Sequence, residues 1–116
     1  MNKPSPVDPP NEPMSGPVSE ERLDRLAEVA VKVGLNLQPG QDLVLTAPVA
    51  ALPLVRRIAA RAYAAGAGVV TPILSDEGVT LSRFQHGRDA SFDRAPDWLY
   101  RGMAAAYDGN AARLAV

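Results

Sequence analysis

Acid and base side chains are concentrated between Ser75 and Asp89, in the stretch SDEGVTLSRFQHGRD. It holds the neighbouring carboxylates Asp76 and Glu77, and also His86, which is the single histidine of the 116-residue chain. Carboxylate and imidazole groups are common ligands of divalent metals and common general acids and bases. The stretch therefore raises two chemical possibilities, a metal site and an acid–base pair.

The spacing argues against a local metal site shared by these groups. On one continuous helix, the rise from Asp76 to His86 is about 15 Å, whereas metal-bound N and O atoms lie within about 2.0–2.2 Å of the ion. A capped helix explains the charges instead. Ser75 or Asp76 would cap this helix, and Gly87 would end it. The acidic pair would lie at its positive end, with Arg83 and His86 toward its negative end. His86 is therefore the weakest catalytic candidate.

Asp76 and Glu77 remain candidates for the rim of a substrate cavity. They follow the strand-like run GVVTPIL, and open parallel sheets bind ligands outside the carboxyl ends of their strands. We assign no catalytic, cofactor-binding or metal-binding residue to this chain. The pair is a candidate only for contact with a substrate.

The composition indicates one globular domain and excludes several classes of partner. Because 12 basic side chains are balanced by 13 acidic ones, for a net charge of -1, no basic patch is available for nucleic acid or an anionic membrane. The chain has no cysteine, which excludes thiolate metal sites and disulfides. No signal-like segment and no apolar run of about 18 residues occurs, so we expect neither export nor membrane insertion and infer a cytoplasmic location.

The apolar periodicity predicts an α/β fold with a small, mostly parallel sheet and crossover helices, in the order α-β-α-β-α-α-β. Ser19 is expected to cap the first helix and Gly34 to end it. A turn at Pro39-Gly40, of type I or II, would lead into a strand at 42–47. The second helix would run from Ala50 to Gly66. Buried faces are predicted for both helices, at Leu23, Leu26, Ala27, Ala30 and Val33 in the first, and at Leu52, Val55, Ile58, Ala59, Ala62 and Tyr63 in the second.

The second half of the chain continues this alternation. A strand at 68–74 would contain Pro72, which requires an edge position or a bulge. Together with the first strand and the second helix it forms a parallel, right-handed crossover unit. Two helices follow, at 76–86 and from Pro96 to Gly109, and the last strand is AARLAV. In the last helix Trp98, Leu99, Met103 and Ala106 are candidates for burial.

The two ends of the chain lead to different expectations. Residues 1–18 hold six of the 11 prolines and almost no apolar residues, which predicts a disordered Pro-rich tail before an ordered lobe at 19–116. The run AARLAV has no turn or charged segment after it, so we expect the polypeptide to be one lobe of a longer protein. Its open strand edge should make the isolated lobe self-associate or be marginally stable.

Four segments resemble the amino-terminal lobe of the thermophilic-type metalloaminopeptidases, the aminopeptidase T and aminopeptidase S family. They are LDRLAEVAVKVGLNLQPGQDLVLTAPVAALPLVRRIAARAYAAGA, SDEGVTLSRFQHG, FDRAPDWLYRGMAAAYDG and AARLAV. The resemblance spans about Leu23 to Val116, and its most specific pieces are VGLNLQPGQ, TAPVAALPLVR and PDWL.

The resemblance implies a metal-dependent exopeptidase that removes residues from the amino terminus of peptides. Two divalent ions, of zinc, cobalt, manganese or magnesium, would activate water for attack on the scissile carbonyl. The family's Glu, His and Asp ligands lie in a carboxy-terminal lobe that this chain lacks, so we expect no metal bound here and no activity of the chain alone. The resemblance also implies a homodimer of the full-length protein and a peptide substrate.

Two alternatives remain open from the residues alone. A free-standing α/β module would bind a small anion or metabolite at a rim of Thr46, Ala47, Ser75 and Asp76, with backbone donors from the amino terminus of the second helix. An assembly lobe would instead pair subunits or form a wall of the peptidase cavity.

Overall fold

The structure is a computed structural model that describes residues 19–116. The Pro-rich segment 1–18, for which disorder is predicted, lies outside the described residues. The main elements follow the predicted order α-β-α-β-α-α-β: α1 (Glu20–Val29), β1 (Leu43–Pro48), α2 (Leu52–Ala64), β2 (Val70–Ser75), α3 (Glu77–His86), α4 (Asp97–Asp108) and β3 (Ala112–Ala115). A π-helical segment, Ala30–Leu35, extends α1, and short 3-10 helices, Val49–Ala51 and Asp89–Asp93, precede α2 and α4.

The sheet has three parallel strands in the order β2-β1-β3. Leu45 in the central strand is in register with Pro72 on one side and with Leu114 on the other. The α/β class and the parallel strand–helix–strand unit are therefore confirmed. Pro72 lies in an edge strand, as predicted. A central strand pairs with a neighbour on both sides, and the ring nitrogen of proline has no hydrogen to donate to such a neighbour.

One apolar core fills the space between a face of the sheet and the helices α1 and α2. Leu43, Leu45 and Ala47 alternate onto this face, and none is more than 5% exposed. The two helices contribute Ala27, Val31, Val55, Ile58 and Ala62. The predicted burial of α2 is confirmed at Val55, Ile58 and Ala62. It is wrong at Tyr63, which is 50% exposed.

The first helix departs from its predicted buried face. Ser19 caps it as predicted, with its Oγ accepting the Arg22 N–H at 3.2 Å. Ala27 is fully buried, but Leu26 and Val33 are 47% and 75% exposed, and Val31 is buried in place of Val33. The π-helical segment carries more residues per turn than an α-helix, so the 3.6-residue spacing no longer selects the buried side after Val29.

The end of this helix also differs from the prediction. Gly34 lies within the π-helical segment. Asn36 comes directly after this segment and has φ 48°, in the left-handed region. Asparagine tolerates this conformation better than most residues. Asn36 therefore takes the terminating role that was predicted for Gly34.

The connection from α1 to β1 contains the predicted turn. Gln41 N–H donates to Gln38 O at 3.0 Å and Gly40 has φ 78°, which identifies a type II turn. Nearby, Asp42 Oδ1 accepts the Val69 N–H at 2.8 Å. A Cβ atom at Gly68 would overlap this carboxylate and lie 2.8 Å from Gly40 O. The joint therefore requires glycine at position 68.

Ion pairs cross the outer surface between α1 and α2. Arg57 contacts Glu20 at 2.9 Å and Asp24 at 3.1 Å, and its hydrogen bond to Asp24 raises the pKa of the Arg57 guanidinium. Glu28 accepts from both Lys32 in the π-helical segment and Arg61 of α2. Exposed pairs of this kind contribute little to folding free energy, so they orient the helices that the apolar core holds together.

The helices α3 and α4 lie outside this core. Neither contains a buried residue. Leu99, Met103 and Ala106 are partly buried. The predicted burial is wrong at Trp98, which is 76% exposed. Among residues 19–116, no helix combines the length and apolar character needed to cross a membrane.

Replacement of Ile58 by alanine should strongly destabilise the chain. Ile58 is 1% exposed in the core, and truncation of such a residue costs about 2–5 kcal/mol in folding free energy. Urea unfolding followed by circular dichroism measures the loss. Leu81→Ala is the matched control, since Leu81 is 54% exposed and its truncation should change stability far less. Equal losses in both variants would contradict the core described above.

Gly68→Ala should also destabilise the chain, by about 1–3 kcal/mol, because the added methyl group has no space beside Asp42 and Gly40. Gly102→Ala provides the control. Gly102 lies inside α4 with no heavy atom within 4 Å of an added Cβ, so alanine should stabilise the helix by about 0.5–1 kcal/mol. Thermal unfolding of both variants measures the contrast, and a tolerated Gly68→Ala would disprove the close approach.

Candidate functional site

Because the three strands are parallel, their carboxyl ends lie at the same end of the sheet. The predicted cavity residues lie at this end. Asp76 and Glu77 directly follow β2, as predicted, and both are exposed. Asp76 is the cap of α3, because its Oδ2 accepts the Val79 N–H at 3.1 Å and its backbone oxygen accepts the Thr80 hydroxyl at 3.3 Å. One carboxylate oxygen of Asp76 thus already accepts a hydrogen bond at the start of α3.

The helix α3 separates the acidic pair from His86. It is continuous from Glu77 to His86, so the histidine lies at its far end. The Gly87 N–H donates to Arg83 O at 2.8 Å, which confirms the predicted helix stop. Within residues 19–116, no group of three or more His, Asp or Glu side chains could hold a metal ion. The charged stretch 75–89 is therefore a capped helix with its own dipole partners.

The strand order determines where the chain reverses its direction of travel across the sheet, which is the topological switch point. This point does not lie at Asp76. After β1 the chain continues to β2, which lies on one side of β1. After β2 it crosses back to β3, which lies on the other side of β1. In open α/β sheets, ligands bind outside the carboxyl ends of the strands at the point where this reversal occurs. That crevice lies between β1 and β3, where Val116 N–H donates to Thr46 O at 2.8 Å. Asp76 and Glu77 lie one strand away from it.

The alternative rim of Thr46, Ala47, Ser75 and Asp76 is partly assembled in the structure. The Ser75 hydroxyl donates to Ala47 O at 3.5 Å, which brings the ends of β1 and β2 together. A 3-10 turn, Val49–Ala51, precedes α2, and no side chain caps its amino terminus. Free backbone donors at a helix end do not by themselves specify a ligand, so this rim does not define a binding site.

Two clefts flank α4 and share Trp98. One, of about 550 Å³, lies between α4 and the face of the sheet opposite the core, with Val44, Ile73 and Met103 in its walls. The other, of about 530 Å³, is lined by Arg83 and Arg94 among others. The Arg83 guanidinium donates to Ser91 O at 2.7 Å and to Arg94 O at 2.9 Å, so it fastens the connection to α4. The first cleft therefore offers mainly apolar contact, and the second places arginine side chains beside Trp98.

Sequence reasoning missed this surface because it predicted burial for Trp98. Phe84 and Trp98 are 68% and 76% exposed, and Phe84 stacks on Phe92 with ring centroids 6.0 Å apart. One available signal was the number of large apolar residues between 79 and 100, among them Val79, Leu81, Phe84 and Phe92. The sequence does not specify which of them stay uncovered.

Known proteins match the described part of the chain closely. The model of the thermophilic metalloprotease (M29) family matches residues 19–116. Aminopeptidase T of Thermus aquaticus is 48% identical over 96 residues, which is 83% of this chain and 24% of that protein. Aminopeptidase AmpS of Bacillus subtilis is 31% identical over 96 residues, or 83% of this chain and 23% of that protein.

A solved structure agrees with these sequence matches. Wild-type AmpT from Thermus thermophilus superposes with a TM-score of 0.79 at 44% identity, covering 83% of this chain and 24% of that one. The chain thus spans about a quarter of the length of the curated relatives that it matches. These findings confirm the resemblance to the aminopeptidase T and S group. Since the family model covers every described residue, the chain belongs to the thermophilic metalloprotease family M29.

Proposed function

We propose that this chain is the amino-terminal lobe of a metal-dependent aminopeptidase that hydrolyses amino-terminal residues from peptides. The observation that carries the proposal is the family match across residues 19–116, together with relatives of which the chain covers only 24%. In this proposal the full-length enzyme is a cytoplasmic homodimer, and residues 1–18 precede a lobe at 19–116 that ends before the metal-binding lobe.

The side chains of residues 19–116 do not fit the two divalent ions that such an enzyme uses. No suitable cluster exists within residues 19–116, Asp76 serves as a helix cap, and His86 lies at the opposite end of α3. We propose that the metal ligands belong to the rest of the full-length protein. The lobe's own contribution is to form part of the cavity wall that positions the peptide.

Asp76 and Glu77 are the residues that we propose to face that cavity. A peptide substrate of an aminopeptidase carries a positive ammonium group, and exposed carboxylates near the entrance raise its local concentration. Their place at the carboxyl end of β2 and their exposure support this role. They would act on substrate capture, whereas the chemical step takes place at the metals.

The chain alone should have no aminopeptidase activity. Release of a fluorophore from aminoacyl-coumarin substrates should stay at the background rate with added zinc, cobalt or manganese, because in this proposal the metal ligands lie in the rest of the full-length protein. Aminopeptidase T of Thermus aquaticus, assayed in the same buffers, is the positive control. Turnover by this chain that a chelator abolishes would contradict the proposal.

A chimera should show whether the lobe supports catalysis. Residues 19–116 replace the matching quarter of Thermus aquaticus aminopeptidase T, and we expect the chimera to keep metal-dependent release of amino-terminal residues. A free-standing binding module would not support this activity. A folded, metal-loaded chimera without activity would therefore count against the proposed function.

Within the chimera, the double change Asp76→Asn and Glu77→Gln should raise KM about two- to fivefold with kcat unchanged, as expected for loss of an exposed electrostatic contact. Asparagine still caps α3, so the helix is retained. Asp108→Asn, at the far end of α4 near the opposite edge of the sheet, is the control and should leave KM unchanged. A fall in kcat alone would exclude a role in substrate capture.

A further inference from the structure

The two edges of the sheet differ in their backbone chemistry. In a parallel ladder, successive residues of a strand direct their N–H and C=O groups alternately toward and away from the neighbouring strand. Because Leu43 N–H donates to Val69 O at 3.0 Å, the outward-directed residues of β2 are Val70, Pro72 and Leu74. These three residues decide whether another strand can pair with β2.

The β2 edge is closed to further pairing. Val70 N–H donates to the Tyr63 hydroxyl at 3.0 Å, so a side chain already occupies that donor. Pro72 has no N–H to offer. Leu74 alone retains an outward N–H, and one donor does not support a ladder. The half-exposed Tyr63 is thereby explained as the cover of this edge.

The β3 edge is open. Ala112 N–H donates to Asp42 O at 2.7 Å and Val116 N–H donates to Thr46 O at 2.8 Å, so Arg113 and Ala115 direct their backbone groups away from β1. Neither residue has a backbone hydrogen bond on that side within residues 19–116. A charged side chain often protects an edge, but the Arg113 guanidinium lies over the Tyr107 ring of α4, 5.9 Å from its centroid.

We propose that the open edge of β3 accepts a further parallel strand, supplied by the part of the full-length aminopeptidase that lies outside this chain. This inference rests on the proposed function, since it takes its partner from the longer protein. The order β2-β1-β3 is the beginning of the doubly wound order 2-1-3-4-5, in which the next strand pairs in parallel with the third. Relatives of which this chain covers 24% have ample length to supply that strand.

A second copy of this chain is the competing occupant of the edge. Two copies related by a two-fold axis that pair β3 with β3 would form an antiparallel junction, whereas every pair in this sheet is parallel.

Hydrogen exchange at single residues tests the added strand. The amides of Arg113 and Ala115 should exchange at least about 100-fold more slowly in the chimera than in the chain alone, because each gains a backbone acceptor. Leu114 and Val116, which face β1, should be protected in both proteins. The outward Leu74 amide should exchange equally fast in both and is the internal control. Unchanged exchange at Arg113 and Ala115 would overturn the proposal.

The occupant is identified by the same measurement on the chain alone. Protection of Arg113 and Ala115 in the isolated chain, with a dimer in sedimentation equilibrium, would show that a second copy fills the edge and would overturn the assignment to the longer protein. A monomer with both amides unprotected supports it. The exchange readout is independent of activity, so an inactive chimera with a protected β3 edge contradicts only the proposed function.

A pair of proline variants gives a second test. Ala115→Pro removes an outward N–H without breaking a bond to β1, so it should leave the unfolding midpoint of the chain unchanged and lower that of the chimera. Leu74→Pro removes the equivalent outward N–H at the closed β2 edge and should change neither midpoint. Equal behaviour of the two variants in the chimera would contradict an open edge at β3.

Discussion

The burial of β1 on both faces and along both edges is the constraint on which the rest of the described structure depends. Its backbone is paired with β2 on one side and β3 on the other, which provides hydrogen-bond partners in a region from which water is excluded. Leu43 and Leu45 fix α1 and α2 on one face, and Val44, 7% exposed, requires α4 on the other. The remaining elements are arranged around that strand.

Helices cover the two faces of the sheet to different extents. On the α1–α2 face the core is continuous, and the ion pairs of Arg57 with Glu20 and Asp24 align the helices over it. On the opposite face α4 covers only part of the sheet, and α3 buries no side chain at all. A ten-residue helix is rarely stable without tertiary packing. This asymmetry is consistent with a lobe whose second side is completed by the larger enzyme.

Three charged side chains of this chain hold local structure together. Asp76 offsets the positive end of α3, Arg83 fastens the following connection through two backbone oxygens, and Asp42 holds the Val69 N–H at the joint before β2. Each group therefore has a structural partner. The chain belongs to family M29, and in our proposal the lobe supports and shapes part of the substrate cavity.

Local chemistry in the sequence determined the elements and their ends. Ser19, Asp76 and Gly87 act at helix ends because capping depends on neighbours within four residues, and Pro72 required an edge strand because its nitrogen has no hydrogen. The same local reasoning failed where helix geometry or packing decided: the π-helical segment exposed Val33, and α4 left Trp98 uncovered. Only the tertiary structure decided the strand order, and with it the switch point between β1 and β3 and the difference between a closed and an open edge. Those features depend on hydrogen bonds between residues distant in the chain, such as Val116 with Thr46, which no short stretch of sequence encodes.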